Sequence, residues 1–89
     1  MDILGQKITE QNKDDIRKRI EAGIRDSLRI GTIDVPAARE ALGRTDELVH
    51  LGTDVYSVLR SLNNIIQDSL VKTGFVSYDS MKPIWRKFI

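Results

Sequence analysis

Residues 45–72 read TDELVHLGTDVYSVLRSLNNIIQDSLVK, and this stretch decides the fold class. Leu48, Leu51, Val55, Val58, Leu62 and Ile65 recur three and four residues apart, with Leu59, Ile66 and Leu70 widening the stripe. That is the period of a buried helix face and not of a strand. Leu48, Val55 and Leu62 at position a, with Leu51, Val58 and Ile65 at position d, make three successive heptads, the least that argues for a coiled coil. A single helix of about 27 residues is about 40 Å long. A compact chain of this size has a radius of gyration of about 12 Å and so a diameter near 30 Å. The pattern therefore predicts a helix that overhangs, bends or pairs, with Gly52 as its weakest internal point and Gly74 as its stop.

Upstream, Ile16, Ile20, Ile24 and Leu28 sit four residues apart in a segment from about Thr9 to Ile30, with Gly23 and Ser27 as small neighbours. Asp14 with Lys18, Asp15 with Arg19 and Glu21 with Arg25 are acid-before-base pairs at i,i+4, each worth a few tenths of a kcal/mol. Thr9 is the expected N-cap, and Gly31 the expected residue past the end. Between the two patterned segments, Asp34-Val35-Pro36 opens a short helix whose small face is Ala37, Ala38 and Ala41 with Leu42, and Gly43 is read as its stop. The first stripe is narrow and the second wide, so the expectation is that they pack antiparallel and leave apolar surface over.

Downstream the composition changes. Phe75, Tyr78, Trp85 and Phe88 are four of the five aromatics, and Ile84, Trp85, Phe88 and Ile89 fall on one side of a short basic amphipathic helix with Arg86 and Lys87 opposite. The division that results is an N-terminal arm at 1–8, a helical domain at 9–74 and an aromatic-basic segment at 75–89.

The whole chain is 89 residues, with 40% hydrophobic and 30% charged residues, a composition that folds and does not stay disordered. At this size it forms one domain and buries about 60–65% of its unfolded surface. Fourteen Lys and Arg against thirteen Asp and Glu leave +1, which gives no global pull toward nucleic acid or an anionic membrane. There is no cysteine, hence no disulfide, thiolate nucleophile or Cys-type metal site. No apolar run approaches the roughly 18 residues of a membrane span, and Met1 to Leu4 lack the marks of a signal peptide, so the expected location is cytoplasmic.

Chemistry-bearing patterns are few. His50 has Glu47 three residues before it and Asp54 four after, a spacing that would put three metal donors on one face of a continuous helix, but it falls off the apolar stripe and reads as a solvated position. Asp-Ser-Leu occurs at 26–28 and 68–70; acyl carrier proteins carry this tripeptide at a helix start after a loop. Both copies here lie inside periodic segments, so Ser27 and Ser69 read as small residues at helix contacts. Asp14 and Asp15 are early-helix acids with helical partners. No phosphate loop, nucleophile elbow or Ser/His/Asp spacing is present. No catalytic residue, metal or cofactor is expected, and no family is identified.

Two binding readings remain. The first is an all-α hairpin or bundle that acts as a non-enzymatic interaction or oligomerisation module, or as a small structural subunit of a larger assembly. In it Leu51, Val55, Val58, Leu62 and Ile65 form a self-association seam, and Trp85 with Phe88 closes the core or binds a partner. The alternative is a small nucleic-acid-binding protein that uses Lys18, Arg25, Arg29 and Arg39. The run from Val35 to Gly43 resembles half of a helix-turn-helix, but Arg39 stands where a small residue is needed, and Asp46 and Glu47 would face phosphates.

Overall fold

The computed structural model describes residues 5–75, which form three helices: α1 (Lys13–Arg29), α2 (Val35–Leu51) and α3 (Val55–Thr73). The end of each helix follows from local chemistry. Before α1, Thr9 and Asn12 lock a turn, the Thr9 N–H donating to Asn12 Oδ1 at 2.7 Å and the Asn12 N–H to Thr9 Oγ1 at 3.3 Å. Thr9, the N-cap expected from the sequence, is thus not the N-cap of α1; that position is Asn12, whose side chain makes no capping bond to the helix, and Thr9 closes the turn ahead of it. At the other end Gly31 has φ of +85°, and the N–H groups of Gly31 and Thr32 donate to the carbonyls of Leu28 and Ser27. This is the paired carbonyl cap that a left-handed residue permits.

Asp34 caps α2 by accepting the Ala37 N–H at 3.0 Å, with Pro36 in the first turn where its missing N–H costs nothing. The helix then continues past Gly43, which corrects the reading of a short connector. Gly43 is exposed and open, so it costs about 1 kcal/mol against alanine and no more. The buried row Ala37, Ala38, Ala41, Thr45 and Val49 holds the helix together across it. Thr45 is an interior residue and not a cap; its hydroxyl donates to the Ala41 carbonyl at 2.7 Å.

The unbroken helix expected over 45–72 is two helices. Gly52 takes an extended conformation (φ −76°, ψ 153°), and Asp54 caps α3 by accepting the Ser57 N–H at 2.8 Å. The periodicity ran through the break because Leu51 and Val55 are four residues apart on either side of it. α3 ends as read, at Gly74 with φ of +70°, and the Phe75 N–H donates to the Leu70 carbonyl at 3.0 Å.

Helix direction follows from contacts at the two ends of the bundle. Arg17 Nε lies 3.7 Å from Asp46 Oδ1, which sets the start of α1 against the end of α2. Thr73 Oγ1 donates to Asp34 Oδ2 at 2.6 Å, which sets the end of α3 against the start of α2. Each outer helix therefore runs antiparallel to α2, and α1 and α3 run parallel to each other. The two apolar stripes do not form the expected antiparallel pair; α2 lies between their ends and brings both into one core. That core takes Ile16, Ile20 and Ile24 from α1, the three alanines and Val49 from α2, and Val55, Val58, Leu59, Leu62, Ile66 and Leu70 from α3. Helices of 17, 17 and 19 residues have matched lengths of about 25–29 Å, in place of one helix of about 40 Å, and the radius of gyration is 12.3 Å.

The arm contributes to the fold through residues 6–8. The Val55 N–H donates to the Gln6 carbonyl and the Ile8 N–H to the Thr53 carbonyl, both at 3.0 Å, and Ile8 packs against the core. The segment thus straps the α2–α3 joint and satisfies one of the orphan donors of the α3 N-terminus. Among the described residues no buried side-chain nitrogen or oxygen lacks a hydrogen-bond partner.

Candidate interaction surfaces

Of the expected self-association seam, Val55, Val58 and Leu62 are at most 2% exposed. Val55 and Leu62 face the chain's own core, and Val58 is buried there too and shows only an edge to the groove between α2 and α3. The seam as read is thus corrected to a narrower surface. A continuous coiled coil would have pointed all of these residues outward, whereas the break at Gly52 lets α2 fold back along α3 and cover them. Ile65 is half-buried at the edge of the core, and Leu51 is 73% exposed.

Leu51 stands on the rim of a pocket of about 180 Å³ between the end of α2 and the start of α3, lined by Leu48, Gly52, Ser57, Val58 and Ser61 as well. Its depth comes from Gly52. A Cβ there would lie 2.6 Å from Val58 Cγ2 and 2.9 Å from the Leu48 carbonyl oxygen, so only glycine lets the chain turn this close to α3. Leu48, Leu51 and Val58 are the apolar residues of its lining, and Ser57 and Ser61 complete it.

The α1–α2 side is polar and internally matched. Arg17 reaches Asp14 at 2.6 Å, Glu21 at 3.0 Å and Asp46 at 3.7 Å, a set that ties α1 to α2. The Arg17 hydrogen bond, with help from Lys18, holds the Asp14 carboxyl below its ordinary value, and Asp14 in turn raises the Arg17 guanidinium. Lys13 Nζ lies 3.2 Å from His50 Nδ1 and 3.2 Å from Glu10 Oε1. A smaller pocket of about 100 Å³ opens among Lys13, Asp14, Arg17, Asp46, Val49 and His50, with both charge signs on its walls.

The metal face weighed around His50 does not form. Glu47 binds Arg44 at 2.8 Å, and the Asp54 carboxylate is turned to the α3 N-terminus, where the Ser57 N–H lowers its pKa. Among the described residues no group of three His, Cys, Asp or Glu side chains is placed to hold a metal ion. Ser27 and Ser69 are buried within α1 and α3, as helix-contact residues.

The four cations of the nucleic-acid reading share the outer side of α1 and the neighbouring flank of α2. The register set by Arg17 against Asp46 brings Arg25 level with Ala38 and Arg39. Lys18 is already paired with Asp14 at 3.2 Å, and Arg29 with Asp26, whereas Arg25 and Arg39 are exposed. Two of the four charges are thus answered by acids on their own helix, which lowers the counterion release a phosphate backbone would reward. Trp85 and Phe88 lie outside the described residues.

Fold and surfaces together define a small all-α three-helix bundle, and among the described residues no helix is long and apolar enough to cross a membrane. No protein-family model, curated protein or solved structure matches the chain.

Proposed function

We propose that this chain is a non-enzymatic helical interaction module that associates with a second copy of itself through the α2–α3 groove, and that it works in the cytoplasm, a compartment its cysteine-free composition suits. The observation that carries this reading is Leu51, a large apolar side chain 73% exposed at the mouth of an apolar pocket. A single exposed leucine is ordinary, but one beside a concave apolar surface offers both a knob and a hole. Two copies related by a two-fold axis satisfy each other, since an isologous contact needs a self-complementary patch. Leu48 and Ile65, half-buried along the same groove, extend the contact.

Absolute mass by light scattering, over a range of concentration and at low and high salt, tests the reading. The expected result is a rise with concentration toward a multiple of 10.1 kDa that salt leaves unchanged and that Leu51→Lys abolishes. A mass fixed at 10.1 kDa at every concentration, or an assembly that Leu51→Lys leaves intact, refutes it.

A further inference from the structure

We infer that Lys13 is a site of covalent acylation: its amine, relieved of a proton by His50, takes a short acyl group from an activated donor of the acyl phosphate class. The inference stands apart from the association reading, because Lys13 and His50 line the pocket between α1 and α2 and not the α2–α3 groove. Lys13 Nζ and His50 Nδ1 are 3.2 Å apart, joining residues 37 positions apart in the chain. An ammonium has only protons to give, so this hydrogen bond sets the imidazole lone pair on Nδ1 and the ring proton on Nε2. The two groups thus stand as an acid and the base that deprotonates it, within hydrogen-bond reach. Two elements hold them there. Lys13 opens α1 directly after the turn that Thr9 and Asn12 lock, and His50 lies in the last turn of α2, in the register that Arg17 keeps against Asp46. Glu10 Oε1, also 3.2 Å from Nζ, is a further tether on the lysine.

Lys18, on the same helix, shows what sets Lys13 apart. Its side chain is 67% exposed against 28% for Lys13, and its ammonium pairs with the Asp14 carboxylate at 3.2 Å. A carboxylate holds an ammonium in its protonated form, whereas a neutral imidazole is the stronger base and accepts the proton. The pocket beside the pair, about 100 Å³, sets the size of the acyl group. It is smaller than the cavity of about 150 Å³ that admits benzene in an engineered core, so it suits a short aliphatic acyl group, with Val49 as the apolar residue of its lining. In the step, one Nζ proton passes to His50 Nδ1, and the freed lone pair attacks the acyl carbonyl carbon. The bond from that carbon to the phosphate oxygen breaks with its electron pair on oxygen, and the departing phosphate takes the second Nζ proton. An amide, hydrogen phosphate and a protonated imidazole result, and His50 returns its proton to water. The acylated side chain has lost the charge that binds Glu10.

The test incubates the full chain with acetyl phosphate at neutral pH and follows acetylation of each lysine by peptide mass spectrometry. Lys13 should be acetylated several-fold faster than Lys18 and Lys72, although Lys18 is the more exposed. His50→Asn keeps an acceptor near the place of Nδ1, but its amide takes up no proton. It should bring the Lys13 rate down to that of Lys18 while helicity and cooperative unfolding stay as in wild type, because His50 is exposed and outside the core. Benzoyl phosphate, whose ring is too large for the pocket, should show no preference for Lys13. Acetylation of Lys13 no faster than that of Lys18 overturns the inference. So does a preference for Lys13 that survives His50→Asn, which would trace it to position and not to proton transfer. Benzoyl transfer as selective for Lys13 as acetyl transfer overturns the assignment of a short acyl group.

Discussion

Replacing Gly52 by alanine should destabilise the protein, and the sign of that effect separates the bundle from a continuous long helix. In the bundle the added methyl would stand 2.6 Å from Val58 Cγ2 and 2.9 Å from the Leu48 carbonyl oxygen, with Ile8 Cδ1 at 3.6 Å. Val58 is 2% exposed, and the carbonyl is backbone, so neither yields freely. Overpacking of this kind costs about 1–3 kcal/mol. The glycine has φ of −76°, which alanine also adopts, so the substitution regains about 0.4–1 kcal/mol from the unfolded chain. The net loss is about 1–2 kcal/mol, or a fall in Tm of roughly 5–15 °C for a chain of this size. Had residues 45–72 been one helix, Gly52→Ala would stabilise by up to about 1 kcal/mol. Gly43→Ala is the internal control, because Gly43 lies inside α2 with nothing within 4 Å of its added Cβ, and it should gain about that amount. Thermal and urea unfolding followed by far-ultraviolet circular dichroism measure both. A Gly52→Ala protein as stable as wild type, or more so, refutes the tight joint.

Ile20→Ala removes a fully buried side chain of α1 and should cost about 2–5 kcal/mol in urea unfolding, close to the whole stability of a small domain; a loss below 1 kcal/mol would contradict the shared core. Asp54 has its pKa lowered mainly by the Ser57 N–H, so the stability it contributes is present above the carboxyl's unfolded pKa and is lost as pH falls through the lower folded value. Asp54→Asn keeps an acceptor at the cap and should flatten that acid limb of a Tm-against-pH curve, while Asp54→Ala should lower Tm at neutral pH as well. Gly74→Ala forces a Cβ onto a residue with φ of +70° and should lower Tm, an effect absent if α3 frays before it. Mixed-sequence duplex DNA in low salt should show no mobility shift, because acids on α1 already pair with Lys18 and Arg29; a shift that vanishes steeply with salt would restore the nucleic-acid reading.

The sequence by itself determined that the chain is helical, which faces of α1 and α3 are buried, and that Gly31 and Gly74 lie at helix ends. The spacing of Ile16, Ile20 and Ile24 and of Val58, Leu62 and Ile66 gave the buried faces of α1 and α3, because 3.6-residue periodicity is a local property that survives any arrangement of neighbours. Asp34 and Gly74 act on backbone groups within a few residues, so their roles were legible too. Of the two glycines of the middle region, Gly43, read as a stop, lies inside α2, and Gly52, read as the weak point of one long helix, is where that helix breaks in two. Glycine marks a stop only when the next turn has somewhere better to go; Gly43 sits on an exposed face that packing holds in place, whereas Gly52 is followed by the Asp54 cap, a signal present in the sequence and outweighed by the heptad count. Only the tertiary structure decided that α2 folds back along α3. That reversal turns Val55, Val58 and Leu62 from an outward seam into an inward core and leaves Leu51 as the exposed knob. It also brings Gln6 to Ile8 onto the joint by hydrogen bonds between backbone groups, which carry no trace in side-chain pattern. Periodicity states that a face is buried; what buries it depends on where the chain turns, and here a close backbone approach at one glycine sets that turn.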